Sequence, residues 1–550
     1  MSQQLLNDGL VDPVPVNVDY LIPDLSSSDD YNQWAEVLIG CNTWSGSGVV
    51  PGLESISDKA QLFFQSFFEV SRLLCELGRL PVFDMPRVVS ATQDGQKFNK
   101  YLLKLEIFTE HLVSQSLYQI ALTTALDLCQ WMTQNSPTRD NKNKVYNTIN
   151  EKLIKQLSPY VVAGKSTIPV LKVAHRLGIP FTYVGLGIYQ LGWGSKGRRL
   201  DRSTCELDSA MGNKLAQNKA ASANLLRAAG LPVPVHSVVT TDHDAVDRGL
   251  KIGFPVVLKP TDRDRGIGVT IDVSTEPGVK TAFAHALASS KSKQVIVERQ
   301  VPGVCHRLFI ANGQLLYAVK RHPMSVTGDG RRSVQNLVDD ELALQGNKPP
   351  WHRSGIKPID DLALKELEQK GLTPDAVPAA GVMVPLRRIE STEWGGVDED
   401  VTAVVHPENQ KIALQASNLF GLHISGVDII STDISEPWFA NGAIINEVNY
   451  APLFGGGEIS KSYIPAFFSS FLDGDGKIPI EVFDTMSAAL AFQQQQLAQG
   501  KRCYYTDAVK TLDDSGQVLV MPLNTVKQRL RALVLRADVD AIAVVMTELK

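Results

Sequence analysis

Three side chains whose oxygen atoms could bind a metal lie in two apolar segments of the chain. Asp428 is flanked by Val427 and Ile429 in HISGVDIISTD, while Glu447 and Asn449 stand two positions apart in NGAIINEVNYAP. Because side chains alternate between the two faces of a strand, the spacing predicts Glu447 and Asn449 on one face. Such oxygens on neighbouring strands, completed by phosphate oxygens, suit Mg²⁺. The alternative is a buried polar group bonded to backbone.

A lysine followed by a glycine turn has the pattern of a phosphate-binding segment. In PVVLKPTDRDRGIGVTIDV, a buried strand delivers Lys259 at its end, and a turn with Gly266 and Gly268 follows. Glycines let backbone N–H groups approach phosphate oxygens closely, and the ammonium group can reach the same oxygens. An ordinary hairpin with a surface lysine has the same pattern, so the segment alone leaves both interpretations open.

Further charged residues follow short strands or lie on a helix. The strand in QVIVERQVPG ends at Glu298, and the next predicted hairpin, CHRLFIANGQLLYAVKR, carries Arg307, Lys320 and Arg321. Arginine suits bidentate binding of phosphate or carboxylate, although each of these side chains is equally typical of a solvated surface. Lys214 lies early in a predicted helix, where a lone lysine usually faces solvent. Together these groups would hold a triphosphate, screen its charge and position two substrates.

The elements that must position these groups form an α/β pattern. Short β-branched runs alternate with amphipathic helices over 209–464, a helical pattern is predicted over 59–158, and VDYLIP and AEVLIG near the start are strand-like. TIPVLKVAHRLGIPFTYVG predicts a helix, a turn and a strand. Three glycines then match GxGxxG by letter, without the strand and helix that a dinucleotide site needs: Gly192, Gly194 and Gly197.

Composition excludes several classes of protein. The 550 residues carry a formal charge of −5, with 44% hydrophobic and 21% charged residues, which gives no reason to expect nucleic acid or a membrane as partner. Six scattered cysteines without a CxxC pair predict reduced thiols. Neither a signal peptide at the start nor an apolar run of membrane-spanning length is evident. We therefore expect a cytoplasmic protein.

Seven segments in the same order resemble the cyanophycin synthetase family of ATP-grasp ligases. They are QLGWGSKGRR, GLPVP, VPGVCHRLFI, SVTGDGRRSVQNLV, GLTPDAVPAAGVMVPLR, DVTAVVHPEN and GVDII with INEVN. The resemblance implies an α/β (α+β) ATP-grasp fold over 161–470 with an insertion at about 340–400. It implies an α/β and helical N-terminal domain over 1–160 and a small, degenerate Rossmann-like remnant of a Mur-ligase-like domain over 471–550.

The resemblance also implies a role for each candidate residue. The phosphates of ATP would be bound by Lys214, Lys259, Gly266 and Gly268, and Glu298 would begin the adenine hinge, with backbone groups of Arg299 and Val301 reading the base. Arg307 would neutralise the transferring phosphoryl group or the acyl phosphate, and it and Lys259 are the predicted catalytic residues. Two Mg²⁺ ions would be held by Asp428, Glu447 and Asn449.

Three departures from the family pattern concern ATP binding, the acceptor substrate and a second nucleotide site. Cys305 stands where the family usually has an acid that bonds both ribose hydroxyls, which predicts weaker ATP binding unless His306 compensates. Leu453 replaces the glycine that usually follows Ala451-Pro452, and because the resemblance places this loop beside the acceptor site, the substrate is expected to differ from the family's. In GDGKIPIEVFDTMSAALAFQQQQLAQG, the loop before the predicted helix lacks the glycines and lysine that cradle a phosphate.

The predicted reaction joins an amino-acid or peptide carboxylate to an amine, with ATP and Mg²⁺, in a homo-oligomer. The sequence does not identify either substrate, nor does it decide between a polymer and a single condensation. Two alternatives stay open: a small-molecule pseudopeptide ligase of natural-product biosynthesis, and a non-catalytic nucleotide-binding scaffold subunit.

Overall fold

The computed structural model describes residues 12–21, 28–41, 44, 53, 56–93, 100–109, 113–161, 164–263, 266–388, 390 and 395–546. The expectation about a signal peptide rests on residues 1–17, of which 1–11 lie outside these ranges. Within the described ranges, no helix combines the length and apolar character needed to cross a membrane. All six cysteines are free thiols.

Helices and strands alternate along most of the chain. The helices are α1 (Ser28–Ile39), α2 (Asp58–Leu77), α3 (Gln115–Met132), α4 (Arg139–Ile149), α5 (Lys155–Leu157), α6 (Thr167–Arg176), α7 (Ala210–Ala216), α8 (Lys219–Ala228), α9 (Asp242–Ile252), α10 (Glu276–Ser289), α11 (Val334–Gly346), α12 (Asp361–Gln369), α13 (Pro407–Phe420), α14 (Trp438–Asn441), α15 (Glu458–Ser462), α16 (Ile464–Phe471), α17 (Met486–Ala498) and α18 (Val526–Val534). The strands are β1 (Asp12–Leu21), β2 (Arg87–Gln93), β3 (Lys100–Thr109), β4 (Phe181–Gly185), β5 (Ile188–Leu191), β6 (Arg198–Asp201), β7 (Thr204–Cys205), β8 (His236–Val239), β9 (Val256–Pro260), β10 (Thr270–Val273), β11 (Val295–Arg299), β12 (Val304–Ala311), β13 (Gln314–His322), β14 (Ser325–Thr327), β15 (Met383–Pro385), β16 (Val397–Asp400), β17 (Ile424–Ser431), β18 (Ile444–Tyr450), β19 (Ile480–Phe483), β20 (Cys503–Thr506), β21 (Thr511–Leu512) and β22 (Ala541–Val545). The α/β class predicted from the sequence is confirmed.

The chain forms two compact units. The first unit combines Met1–Arg202 with Phe471–Lys550, and the second unit is Ser203–Ser470. The division into three domains at 160 and 470 stays a prediction.

The first unit contains one region that the sequence analysis assigned wrongly. The helical pattern predicted over 59–158 holds for α2, α3 and α4, but β2 and β3 interrupt it. In β3 the buried Leu103, Leu105 and Ile107 alternate with more exposed residues, which is the period of a strand. The strand predicted at AEVLIG is also wrong, because residues 35–39 belong to α1 and Gly40 follows its end.

The carboxyl-terminal part of the first unit is a small α/β layer. Strands β19 and β20 both run parallel to β22, in the sheet order β19-β22-β20-β21. The helix α17 connects β19 to β20, as the pattern in this segment predicts. A Cβ added to Gly194 would lie 2.3 Å from the Val539 carbonyl oxygen, so this glycine of the GxGxxG match serves close packing against the layer.

Two sheets of the second unit carry the candidate site. The four-stranded sheet has the order β10-β9-β11-β8, and the five-stranded sheet has the order β16-β13-β12-β17-β18. Each sheet buries one face against helices: Val256, Leu258 and Val297 pack in a core with residues of α9 and α10, and Val427 and Ile445 pack in a core with residues of α13. Because side chains alternate along a strand, the charged residues are left on the other face of each sheet.

Candidate active site

One row of charged side chains crosses the five-stranded sheet. Arg307 in β12 stands opposite Asp428 in β17, and Asp428 stands opposite Glu447 in β18, so all three lie on one face. Arg307 Nε and Nη2 donate to the two carboxylate oxygens of Asp428, each at 2.7 Å. Asn449 Nδ2 donates to Asp428 Oδ2 at 3.2 Å. The three residues predicted as metal ligands and the predicted catalytic arginine therefore come together.

A β-bulge in β18 turns Glu447 toward this face. Asp428 pairs with Glu447, but Ile429 pairs with Ile445, which leaves Asn446 as an extra residue in the ladder. The bulge lets Ile445 point into the apolar core while Glu447, two positions later, points to the opposite face. Because of the bulge, Ile445 is fully buried in the core while Glu447 reaches the site.

The four-stranded sheet contributes Lys259. Its Nζ lies 2.7 Å from Glu298 Oε1 in the neighbouring strand β11, and both side chains are about nine-tenths buried. The same Nζ donates to Asn446 Oδ1 at 3.3 Å. Lys259 thus connects the two sheets through the bulge residue of β18, so the predicted phosphate ligand lies beside the predicted metal ligands.

Lys219, which the sequence analysis did not single out, lies in the site. It is the first residue of α8, whose amino end is capped by Asn218, and its Nζ lies 2.5 Å from Glu447 Oε2. The predicted Lys214 is exposed in the last turn of α7. Both lysines follow an asparagine in GNKLAQNKAA, and only a capping analysis of the second asparagine would have favoured Lys219.

The predicted glycine turn follows Lys259 in the sequence, and the predicted adenine hinge follows Glu298. Gly266 and Gly268 have φ angles of +75° and +74°, which favour glycine, and they connect β9 to β10. Arg299 ends β11 with an exposed side chain, and Val301 is half-buried in the connection to β12. The backbone groups that would read an adenine thus follow directly on Glu298.

The charges in this row are set by their neighbours. Burial alone would raise the pKa of Glu447, but Lys219, Arg307 and Lys259 lower this pKa to about 2. Burial would lower the pKa of Arg307, yet Asp428 raises it overall. Both residues are therefore ionised at physiological pH.

Cys305 lies on the same face as Arg307, two positions before it. Burial, assisted by Asp428, raises the pKa of the Cys305 thiol well above its usual value, so the side chain is a neutral and weak hydrogen-bonding group. His306 has only 2% exposure, lies on the opposite face by strand alternation, and its Nδ1 contacts the Val304 carbonyl oxygen at 3.0 Å. His306 is therefore not placed to compensate for Cys305.

A second set of charged residues extends this face beyond Arg307. Arg321 in β13 stands opposite Asp398 in the edge strand β16, whereas Lys320 stands opposite His306 on the other face. Burial raises the pKa of Asp398 and of Glu390, with Arg321 opposing the shift in both. Neighbouring residues of a strand point to opposite faces, so the alternation along LLYAVKRH predicts that Arg321 and Lys320 lie on different faces of the sheet. The residue types alone do not predict which of the two faces the site.

The oxygen atoms and ammonium groups of this site are of the types that suit magnesium and a nucleoside triphosphate. Among the described residues, no group of three or more His, Cys, Asp and Glu side chains is arranged to hold a metal. A metal here would therefore depend on two carboxylates, the Asn449 amide and oxygens supplied by a ligand. Hard oxygen donors beside Lys219 and Lys259 are what a magnesium–phosphate complex requires.

The chain is similar over about half of its length to curated proteins. It is 32% identical over 305 residues to the cyanophycin synthetase of Geminocystis herdmanii, which is 55% of this chain and 35% of that protein. It is 33% identical over 295 residues to the cyanophycin synthetase of a Nostoc species, which is 53% of this chain and 32% of that protein. The glutathione biosynthesis bifunctional protein GshAB of Mannheimia succiniciproducens is 32% identical over 258 residues, which is 45% of this chain and 33% of that protein.

Other comparisons are less specific. No protein-family model matches the chain. A bifunctional glutathione synthetase from Pasteurella multocida is a solved structure with a TM-score of 0.43 and 18% identity, covering 67% of this chain and 64% of that one. The chain spans about a third of the length of the curated relatives it matches. Over about half of its own length the chain is therefore similar to cyanophycin synthetases, which confirms the resemblance predicted from the sequence.

Proposed function

We propose that this chain is an ATP-dependent carboxylate–amine ligase of the ATP-grasp type. A carboxylate oxygen of one substrate attacks the γ-phosphorus of ATP, ADP leaves, and an acyl phosphate forms. The amine of the second substrate then attacks the acyl carbon, phosphate leaves, and the amine loses a proton. The observation that carries the proposal is that Lys219, Lys259, Arg307 and the three oxygen ligands meet where the two sheets approach each other.

In this proposal the side chains act on the phosphates of ATP and on the metal. Lys219 and Lys259 bind phosphate oxygens, with Lys219 in the role that the sequence suggested for Lys214. Arg307 stabilises the negative charge that develops during phosphoryl transfer. Mg²⁺ would be held by Asp428, Glu447 and Asn449 and would screen the charge of the phosphates.

The substrates are proposed by chemical class alone. Amino acids or short peptides supply the carboxylate and the amine, and the reaction takes place in the cytoplasm, where ATP is abundant. Nucleic acid and membranes have no part in the proposal, and a homo-oligomeric state remains an expectation.

The test is a screen for phosphate release with pairs of amino acids and short peptides, followed by mass spectrometry of the products. We expect release of ADP and phosphate to depend on both an acid and an amine. With an acid whose carboxylate carries ¹⁸O, one labelled oxygen should appear in the released phosphate, because that oxygen leaves with the phosphoryl group. Binding of ATP without turnover for every pair would favour the scaffold alternative, and unlabelled phosphate would exclude an acyl phosphate.

We further propose that residues 471–550 are a Mur-ligase-like piece without a nucleotide site. The loop after β19 is Asp484-Thr485, and the Thr485 hydroxyl accepts from the Ala488 N–H at 3.3 Å, so this side chain caps the helix end that a phosphate would need. Photo-crosslinking with an azido-ATP should therefore label the second unit and leave 475–500 unlabelled. Loss of the label in Lys259→Met would serve as the control, and labelling within 475–500 would contradict the proposal.

A further inference from the structure

Both carboxylates of the predicted metal set, Asp428 and Glu447, are paired with cationic side chains of the candidate site. Lys219 Nζ lies 2.5 Å from Glu447 Oε2, and Arg307 contacts both carboxylate oxygens of Asp428 at 2.7 Å. Lys259 makes the corresponding pair with Glu298 at 2.7 Å. Each of these charged side chains therefore has an oppositely charged partner within the protein when no ligand is bound.

Such pairs oppose the binding of either ligand alone. A divalent cation that approaches Glu447 meets the ammonium group of Lys219, which is close enough to repel it strongly in a half-buried site. A phosphate group that approaches Lys219 likewise meets the carboxylate of Glu447. When cation and phosphate arrive together, both repulsions are removed, because the carboxylate can turn to the cation and the ammonium to the phosphate.

The position of Lys219 makes it the residue most suited to such an exchange. It begins α8, and its side chain is 17% exposed, whereas the Arg307 and Asp428 side chains are 14% and 4% exposed. The Arg307–Asp428 pair joins two adjacent strands in direct register, so its geometry is fixed by the sheet. A lysine on a helix end can swing its flexible stem away from Glu447 without disturbing a strand pair.

We propose that Lys219 is an internal counterion of Glu447, which keeps divalent cations out of the metal set until nucleotide phosphates draw the lysine away. This inference rests on the proposed function and adds to it that metal and nucleotide bind with positive coupling. By reciprocity, the metal must strengthen nucleotide binding by the same factor. Lys219 is thus a positioning residue for the metal as well as a phosphate ligand.

The test uses the full chain, Mn²⁺ as the metal and the non-hydrolysable nucleotide adenylyl imidodiphosphate. Electron paramagnetic resonance follows free Mn²⁺ during titrations with and without the nucleotide. Because the nucleotide phosphates also ligate Mn²⁺ in solution, each titration with nucleotide is compared with the same titration without protein. For the wild type, we expect Mn²⁺ to bind the protein–nucleotide complex at least about tenfold more tightly than the protein alone, beyond what the free nucleotide accounts for. In Lys219→Met we expect Mn²⁺ affinity without nucleotide to rise by about tenfold and most of the coupling to be lost.

Two further variants make the experiment specific. Lys251→Met breaks a surface pair, Lys251–Asp247 at 2.8 Å in α9, and should leave the Mn²⁺ titrations unchanged. Lys219→Arg retains a cation beside Glu447 and should keep the coupling. If Lys219→Met does not fold, as judged by near-ultraviolet circular dichroism, Lys219→Gln, which also removes the positive charge but keeps a polar side chain, replaces it in the same titrations.

The failures of the two proposals are distinguishable. Equal Mn²⁺ affinity with and without nucleotide, in a wild-type protein that still releases phosphate, overturns the counterion role and leaves the ligase proposal standing. Unchanged Mn²⁺ affinity in a folded Lys219→Met protein also overturns it. If the nucleotide does not bind the wild type in the presence of Mn²⁺, the ligase proposal itself fails.

Discussion

Replacement of Glu447 by glutamine is expected to lower turnover by about a thousandfold or more while the protein stays folded. Glutamine retains the size of the side chain and one oxygen, but it removes the negative charge that a magnesium ion beside phosphates requires. The remaining oxygen can still accept a hydrogen bond from Lys219, so we expect the free energy of unfolding to fall by only about 1–3 kcal/mol. Amine-dependent ADP release measures the first effect and thermal unfolding measures the second.

The matched control is Glu436→Gln, which makes the same change at an exposed glutamate in the turn between β17 and β18. Glu436 lies outside the charged row, so its replacement should leave ADP release unchanged. Normal activity in Glu447→Gln would refute the assignment of Glu447 to the metal set. Loss of activity accompanied by unfolding would assign Glu447 a structural role instead.

Replacement of Arg307 is expected to separate catalysis from stability. Arg307→Met leaves Asp428, with a side chain only 4% exposed, as a buried carboxylate without its bidentate partner, which should cost about 3–5 kcal/mol of stability. Arg307→Lys keeps a positive charge near Asp428 but loses the planar fork of two donors. We expect Arg307→Lys to stay close to the wild type in stability and to lose at least about 100-fold in kcat, with little change in the KM for ATP.

The double variant Arg307→Met/Asp428→Asn tests the origin of the stability loss. A neutral amide should be far less costly to bury than a lone carboxylate, so this protein should recover much of the stability lost in Arg307→Met. It should remain inactive, because both a catalytic arginine and a metal ligand are gone. Wild-type kcat in Arg307→Lys would show that catalysis does not require the two donors of the guanidinium group.

The sequence predicted the strands of the site well because each combines apolar residues with a single polar side chain. The apolar neighbours of Asp428 identify a buried strand, and the spacing of Glu447 and Asn449 puts both on one face. Pairing of these strands brings them to Arg307, as expected for one site. Whether these residues bind ATP and magnesium stays a prediction for the experiments above.

Lys219 was harder to find because its position depends on where two short helices meet. The break between α7 and α8 falls at Gln217–Asn218, within a stretch that reads as one continuous helix. Asn218 caps the second helix through the Ala221 N–H at 3.0 Å, and this directs Lys219 to Glu447. Lys214, five residues earlier, ends up in solvent on the preceding helix.

The region of β2 and β3 was assigned wrongly because two periods fit its composition. KYLLKLEIFTEHLVSQSLYQ contains apolar residues at three- and four-residue spacing, yet its first half also alternates. Pairing of β3 with β1 and β2 on its two sides makes the alternation decisive. Such a tertiary constraint is not visible in local sequence.

The bulge at Asn446 has a consequence for how this chain is aligned with others. Because Asn446 is the surplus residue of the ladder, a homologue lacking it could keep Ile445 opposite Ile429 and Glu447 opposite Asp428. Loss of Val448 instead would move Asn449 across the sheet, away from the carboxylate it accompanies. A one-residue gap is therefore physically sound at 446 and physically wrong two positions later, whatever the similarity score of either alignment.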